Sequence, residues 1–199
     1  MKLGIRLITL LLFATVLLPA AHAQANSTDV RPLQLYAFGG ATGTYTGLDG
    51  GRNLGITAGI DLGIGAHRGF LPTLEARGTE PMDDGGVDAQ KNVLGGLKVE
   101  RLYRGFHPYI DVLFGRGAID YQGAGYANPQ QTKLYQVTNS NIYDFGGGID
   151  YDLTSTIAIK ADIQLQHWNV PVTTSGSIYS KPITIGVLYR FGYGRTRPQ

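Results

Sequence analysis

From Ile157 to Gln166 the chain reads IAIKADIQLQ: Ile157, Ile159, Ala161, Ile163 and Leu165 are apolar, while Lys160, Asp162, Gln164 and Gln166 fill four of the five alternate positions. Successive side chains of a β-strand point to opposite faces, so an alternation of this quality specifies a strand with two different environments on its two sides. A helix would scatter both sets around its axis. The same alternation recurs along the chain, with charged residues on one face of nearly every segment.

The first segment carries Lys2 and Arg6, an apolar run from Leu7 to Leu18, then Pro19 and the small-residue exit Ala21-His22-Ala23. This is the pattern of a secretory signal peptide spanning residues 1–23, and the run is short of the ~20 apolar residues that a membrane-spanning helix needs. Residues 24–32 are expected to be a flexible leader. The signal holds two of the 17 Lys and Arg and none of the 15 Asp and Glu, so the mature chain is formally neutral and nucleic acid is not an expected partner. With no cysteine there is neither a disulfide framework nor a lipidated Cys after the signal. Glycine, at 29 of 199 residues, together with 12 Tyr and 7 Phe, disfavours helix and favours strands joined by tight turns.

Eight strands are expected, at about 33–45, 52–65, 69–79, 89–103, 106–120, 139–152, 155–168 and 181–193, followed by a short polar tail at 194–199. The connections alternate in length. Those at Ala66-His67-Arg68, Arg104-Gly105 and Leu153-Thr154 are short, whereas Glu80 to Asp88, Tyr121 to Thr138 and Asn169 to Ser180 are longer, and Thr46 to Gly51 is intermediate. Short turns on one side, long loops on the other and an even strand count are the pattern of an outer-membrane barrel with its N-terminus in the periplasm. Strand length agrees, because a tilted strand needs ~9–11 residues to cross hydrocarbon, whereas globular strands average about five or six. The fold class is therefore all-β, an eight-stranded antiparallel up-and-down transmembrane β-barrel located in a bacterial outer membrane.

Alternation assigns the faces. Leu54, Ile56, Ala58, Ile60, Leu62 and Ile64, then Val93, Leu97 and Val99, then Ile110, Val112 and Phe114, then Tyr143, Phe145, Ile149 and Tyr151, and finally Ile183, Ile185, Val187, Tyr189, Phe191 and Tyr193 face lipid. The opposite faces carry Thr57, Asp61 and Asp150 along with nine residues expected to form an interior charge network: Glu75, Arg77, Lys98, Glu100, Asp111, Asp144, Lys160, Asp162 and Arg190. Eight strands enclose a lumen that side chains just fill, and charges there are tolerable only when paired or wet. Tyr45, Phe70, Tyr103, Phe106, Tyr109, Tyr121, Trp168 and Tyr179 fall near strand ends, where amphipathic rings favour the headgroup level. In the longest loop, Tyr121, Tyr126 and Tyr135 are the candidate contacts for a surface partner.

Near the C-terminus, Thr184-Ile185-Gly186-Val187-Leu188-Tyr189-Arg190-Phe191 has a polar residue, a glycine two later and aromatics five and seven later. Thr184, Gly186, Tyr189 and Phe191 resemble the β-signal through which the outer-membrane assembly machinery recognises a terminal strand. With the signal peptide and the strand pattern, residues 33 to 193 resemble the small outer-membrane β-barrel family, similar to the OmpA membrane domain and to OmpX and OmpW. The resemblance implies a monomer whose partners are outer-membrane lipid and lipopolysaccharide, the assembly machinery and a surface ligand taken by the loops. It implies a structural or surface-interaction role. OmpW-like relatives suggest instead a conduit for small apolar molecules, with an apolar outer half of the lumen. A third possibility, a soluble lipocalin-like binder, requires the apolar faces to point inward.

Some relatives edit lipid A. His167-Trp168-Asn169 sits where a deacylase-like site would place His followed two residues later by Ser, but position 169 is Asn and the nucleophile is missing. Asp83, Asp84 and Asp88 lack the spacing of an EF-hand loop, and no glycine run forms a phosphate loop. No cofactor, metal or catalytic residue is expected.

Overall fold

The computed structural model describes residues 33–83 and 85–191. The signal segment, the leader, Asp84, Tyr193 and the polar tail lie outside the described residues. Ten strands follow in order: β1 (Gln34–Tyr45), β2 (Arg52–Gly63), β3 (Phe70–Pro81), β4 (Asp88–Arg101), β5 (Phe106–Tyr121), β6 (Tyr126–Ala127), β7 (Leu134–Tyr135), β8 (Val137–Asp152), β9 (Ile157–Asn169) and β10 (Ser177–Arg190). Eight of them pair antiparallel with their neighbours and close into a barrel in the order β1-β10-β9-β8-β5-β4-β3-β2, with β1 hydrogen-bonded to β10 along Tyr36↔Arg190 to Tyr45↔Lys181. β6 and β7 form a separate two-stranded hairpin within the longest loop. Barrel strands of 12 to 16 residues are long enough to cross hydrocarbon at a tilt and continue beyond it.

Two of the short turns are built alike. Arg68-Gly69 and Arg104-Gly105 both place two successive residues at positive φ (49° and 78°, 41° and 79°), and the flanking pairs His67–Phe70 and Tyr103–Phe106 bridge as the last rungs of their ladders. This is the primed two-residue hairpin, whose twist matches that of the strands and whose second position favours glycine. The third turn is slightly longer than expected, because Thr154 Oγ1 accepts hydrogen bonds from the amides of Thr156 and Ile157 and delays β9 to Ile157. At the opposite end, β8 begins at Val137 and β10 at Ser177, so both hairpins climb further out than the apolar alternation alone implies.

The faces are inverted relative to a soluble barrel. Leu54, Val93, Ile110, Val112, Phe145 and Ile185 are each about 60–70% exposed, while Asp61, Lys98 and Asp150 are fully buried. The exposed apolar residues run right round the barrel wall, from Leu54, Ile56 and Ile60 on β2 to Ile183, Ile185 and Val187 on β10. In water such a girdle would be a severe liability, since soluble monomers rarely expose contiguous apolar patches above a few hundred Å². Against hydrocarbon it is the stable arrangement, and barrel closure satisfies every edge. The soluble lipocalin-like alternative, which needs these residues inside, is overturned.

Candidate functional site

The lumen is layered. Near the short-turn end, Tyr36, Phe38, Leu71, Ala158 and Leu188 form a small apolar cluster. Above it lies the charged band. Lys98 Nζ is 2.5 Å from Asp61 Oδ2, 3.5 Å from Asp150 Oδ2 and 3.6 Å from Glu100 Oε2, and Lys160 Nζ is 3.6 Å from Asp150 Oδ1. Arg77 pairs with Glu75 on its own strand and reaches Asp162 at 3.4 Å. Aromatic rings accompany the cations: Lys98 (4.5 Å) and Lys160 (4.1 Å) both lie over Tyr109, and Arg77 and Lys160 both lie over Phe38. Arginine and lysine over rings gain electrostatically, more so when desolvated, so the rings share the burden of holding three buried cations.

The network differs in detail from the sequence expectation. Asp61 and Asp150 belong at its centre, Asp150 bridging both lysines. Asp111 and Asp144 point inward but meet amides in place of cations, accepting hydrogen bonds from Gln164 Nε2 (3.1 Å) and Gln166 Nε2 (3.2 Å). Arg190 stands apart at the short-turn end, paired with Asp152, which also contacts His107 at 3.1 Å. The physical reason is shear: strand tilt moves each side chain along the axis, so partners are set by the three-dimensional register, and sequence proximity does not identify them.

Above the charges, Thr184, Thr42, Thr57 and Thr79 form a hydroxyl chain across β10, β1, β2 and β3, with spacings of 2.9, 2.6 and 2.9 Å. The outer part is apolar and filled: Leu94, Leu113, Ile119, Tyr121, Ile142, Trp168 and Ile178 from the strands pack with Leu48, Val170 and Val172 from the loops. Trp168 is fully buried there and donates from Nε1 to Ser180 Oγ at 3.0 Å. This corrects the aromatic-belt expectation for Tyr109, Tyr121 and Trp168, all of which face the lumen. Closeness to a strand end says nothing about parity, and each of these shares its parity with an inward neighbour: Tyr109 with Asp111, Tyr121 with Ile119, Trp168 with Gln166. Tyr45, Phe70, Tyr103, Phe106 and Tyr179 do stand exposed on the outer wall.

The outer loops are tied to one another. Thr46 Oγ1 donates to Asp88 Oδ1 (2.6 Å), Gln90 Nε2 donates to Thr46 O (2.9 Å) and Asp88 Oδ2 (3.0 Å), and Asn53 Nδ2 donates to Asp88 O (2.6 Å). Asp83 Oδ1 accepts from the Leu54 amide. These carboxylates fasten loops together, and among the described residues no group of three His, Cys, Asp or Glu side chains is arranged to hold a metal ion. Of the three loop tyrosines, Tyr121 is buried and hydrogen-bonded to Thr138, whereas Tyr126 and Tyr135 are half-buried on the paired hairpin, with Tyr126 bonded to Asp49 of the first loop. Tyr121 is thus part of the plug beneath the loop and is not available as a contact.

His167 points outward between two rings, 6.4 Å from Tyr143 and 5.0 Å from Tyr179, and Phe114 extends the row at 5.3 Å from Tyr143. All four occupy directly paired register positions on β5, β8, β9 and β10. The arrangement is an interfacial aromatic row, with Asn169 turned to the exterior one residue beyond Trp168. Thr184, Gly186, Tyr189 and Phe191 lie on or just after β10, with Tyr189 and Phe191 edge to face at 5.0 Å on the outer wall. Gly186 faces Gly40 on β1 so closely that a Cβ on either would meet backbone within 2.8 Å, which makes glycine obligatory at this seam.

No protein-family model and no curated protein matches the chain. Solved structures do. The Neisserial surface protein A superposes with a TM-score of 0.50 at 13% identity, covering 80% of this chain and 97% of that one. A major outer membrane protein from Thermus thermophilus follows with a TM-score of 0.49 at 14% identity (80% and 100% covered), and the N-terminal β-barrel domain of Pseudomonas aeruginosa OprF with 0.46 at 16% (80% and 100%). At such identities the likeness speaks to fold alone. The fold is that of a closed eight-stranded antiparallel β-barrel, and the apolar outer wall and buried charges are those of a barrel that spans a membrane.

Proposed function

We propose that the protein is a non-enzymatic, monomeric barrel that supports the envelope and presents its outer loops to a surface partner. The observation that carries this reading is the filled outer lumen: Ile119, Ile142 and Trp168 have no solvent exposure, and Leu94 and Leu113 almost none. A plugged barrel leaves its loops as the accessible chemistry. The hairpin β6–β7, with Leu134 exposed on it, is the candidate, and the bond from Tyr126 to Asp49 fastens it to the first loop, which Thr46 ties in turn to Asp88 and Gln90. Replacing residues 124–135 by a short Gly-Ser linker tests the division of labour. The barrel should still fold, judged by faster migration of the unboiled protein, while adhesion of expressing cells to immobilised host matrix is lost. Unchanged adhesion, or loss of folding, contradicts the reading.

The conduit reading draws on one observation, the apolar character of the outer lumen. It requires that the cluster around Trp168 open. Steady conductance across a planar bilayer, or exchange of an apolar fluorophore through the barrel, would favour it over the sealed scaffold.

A further inference from the structure

Strand β8 outruns its neighbour on one side. Toward β5 its ladder continues outward to Asp120↔Val137, but toward β9 the last rung is Ile142↔Trp168. Residues 137–141 are therefore paired along one edge only. Among the described residues no backbone hydrogen bond crosses from this stretch to β9 or to the turn that follows it. A side chain replaces the next rung: Ser140 Oγ accepts from the Asn169 amide at 2.8 Å and donates to Asn141 O at 2.8 Å.

Parity decides which groups are left over. The Tyr121 amide donates to Gln136 O, so the even-numbered residues that follow, Thr138 and Ser140, turn their main-chain groups toward β5. Val137 and Asn139 turn theirs the other way. Their N–H and C=O groups open onto a groove of about 510 Å³, lined by Tyr135, Val137 and Asn139 on one side and by Asn169, Val170 and Pro171 on the other.

Unpaired main-chain groups on a strand edge are a template for another strand, and proteins blunt such edges with charge, proline or a bulge. This edge has none of the three. Val137-Thr138-Asn139-Ser140-Asn141 holds no charged residue and no proline, and its register with β5 runs without interruption. The groove lining is uncharged as well. Asn139 lies four residues, about 13 Å along the strand, beyond Tyr143 of the aromatic row, so the edge stands outside the hydrocarbon where an extended chain can reach it.

We propose that this edge takes an extended, uncharged segment of a partner polypeptide as an added strand, the main chain of Val137 and Asn139 holding it and Val170 and Pro171 forming the facing wall. An open strand edge and an uncharged groove beside it are separate features that meet at one place. The assignment rests on the surface-partner reading above and gives that partner its chemistry.

The test uses the mature chain, labelled with nitrogen-15, in nanodiscs of phosphatidylcholine. The probes are the capped peptide acetyl-Thr-Val-Thr-Val-Ser-Thr-amide and its fully N-methylated counterpart, which has no N–H to donate. Without peptide, the Val137 and Asn139 amides should exchange with deuterium about tenfold faster than those of Thr138 and Ser140, and the unmethylated peptide should remove that difference. Asn139→Pro deletes a donor that faces the groove and leaves the β5 ladder intact, so affinity should fall about tenfold. Asn139→Ala keeps the main chain and should bind as wild type. Four results would overturn the proposal: no binding of the unmethylated peptide, equal binding of the methylated one, unchanged affinity in N139P, or loss of affinity in N139A. Protection of the two amides that rises with protein concentration in the absence of peptide would also overturn it, since a second copy would then cover the edge. Faster migration of each unboiled variant on a denaturing gel confirms the barrel. The readout involves no cells, so peptide binding by a protein whose expressing cells do not adhere would refute the adhesion reading alone.

Discussion

Lys160 Nζ lies 4.1 Å from the centre of the Tyr109 ring, on strands that are not neighbours, and Lys98 Nζ approaches the same ring at 4.5 Å. One phenol thus serves two buried ammonium groups, and its hydroxyl donates to Asp162 at 3.2 Å. Tyr109→Leu keeps the volume roughly apolar but removes the face that both lysines use. It is expected to destabilise the folded barrel by about 2–4 kcal/mol, combining two desolvated cation–π contacts with a lost hydrogen bond. Urea unfolding in detergent, followed by loss of the fast-migrating band, measures it.

The charged band has a ranking built in. Lys98 contacts three carboxylates, whereas Asp144 contacts only an amide. Lys98→Met strands Asp61 and is expected to cost about 3–5 kcal/mol, the usual penalty for leaving a buried charge uncompensated. Asp144→Asn, which can still accept from Gln166, should cost less than about 1 kcal/mol. Comparable losses for the two would mean that the ion pairs are not what stabilises the interior.

Thr42 bonds to both Thr57 and Thr184. Thr42→Val takes the side-chain partner from Thr184 and leaves Thr57 with Thr79 alone, a loss of about 1–3 kcal/mol. Changing all four, Thr42, Thr57, Thr79 and Thr184, to Val removes the orphaned groups along with the bonds and should recover part of it. A quadruple variant less stable than the sum of the single changes would rule out a continuous hydroxyl chain.

Trp168 is the only tryptophan in the chain and sits at the centre of the outer plug. Its emission should be blue-shifted and poorly quenched by iodide. At Gly117 a Cβ would approach the Trp168 ring at 2.5 Å, so Gly117→Val should displace the indole, shift emission to the red and raise quenching several-fold. Efficient quenching in the wild type would instead show an open outer lumen.

The strands were legible because hydrocarbon outside and charge inside impose alternation of period two, as at Leu54–Ile64 and Ile157–Leu165. Loop asymmetry was legible too. What alternation does not encode is axial position. That Lys98 meets Asp61 on β2 and Asp150 on β8 depends on the shear of the closed sheet. Aromatic residues at strand ends were ambiguous for a related reason: both the headgroup level outside and the plug inside accept rings, so Trp168 and Tyr179, eleven residues apart, read alike but face opposite ways. The β6–β7 hairpin, with two residues per strand, is too short to leave a periodic signal.

The central claim is the direction of the two faces, and the absence of native cysteine makes it directly testable. Single cysteines at Ile110, Val112 and Phe114 on β5, labelled with nitroxide in reconstituted bilayers, should show high collision with oxygen and low collision with a water-soluble nickel chelate, deepest near Val112. High nickel accessibility with low oxygen accessibility at these three positions, in protein that still runs as a folded barrel, would contradict the account.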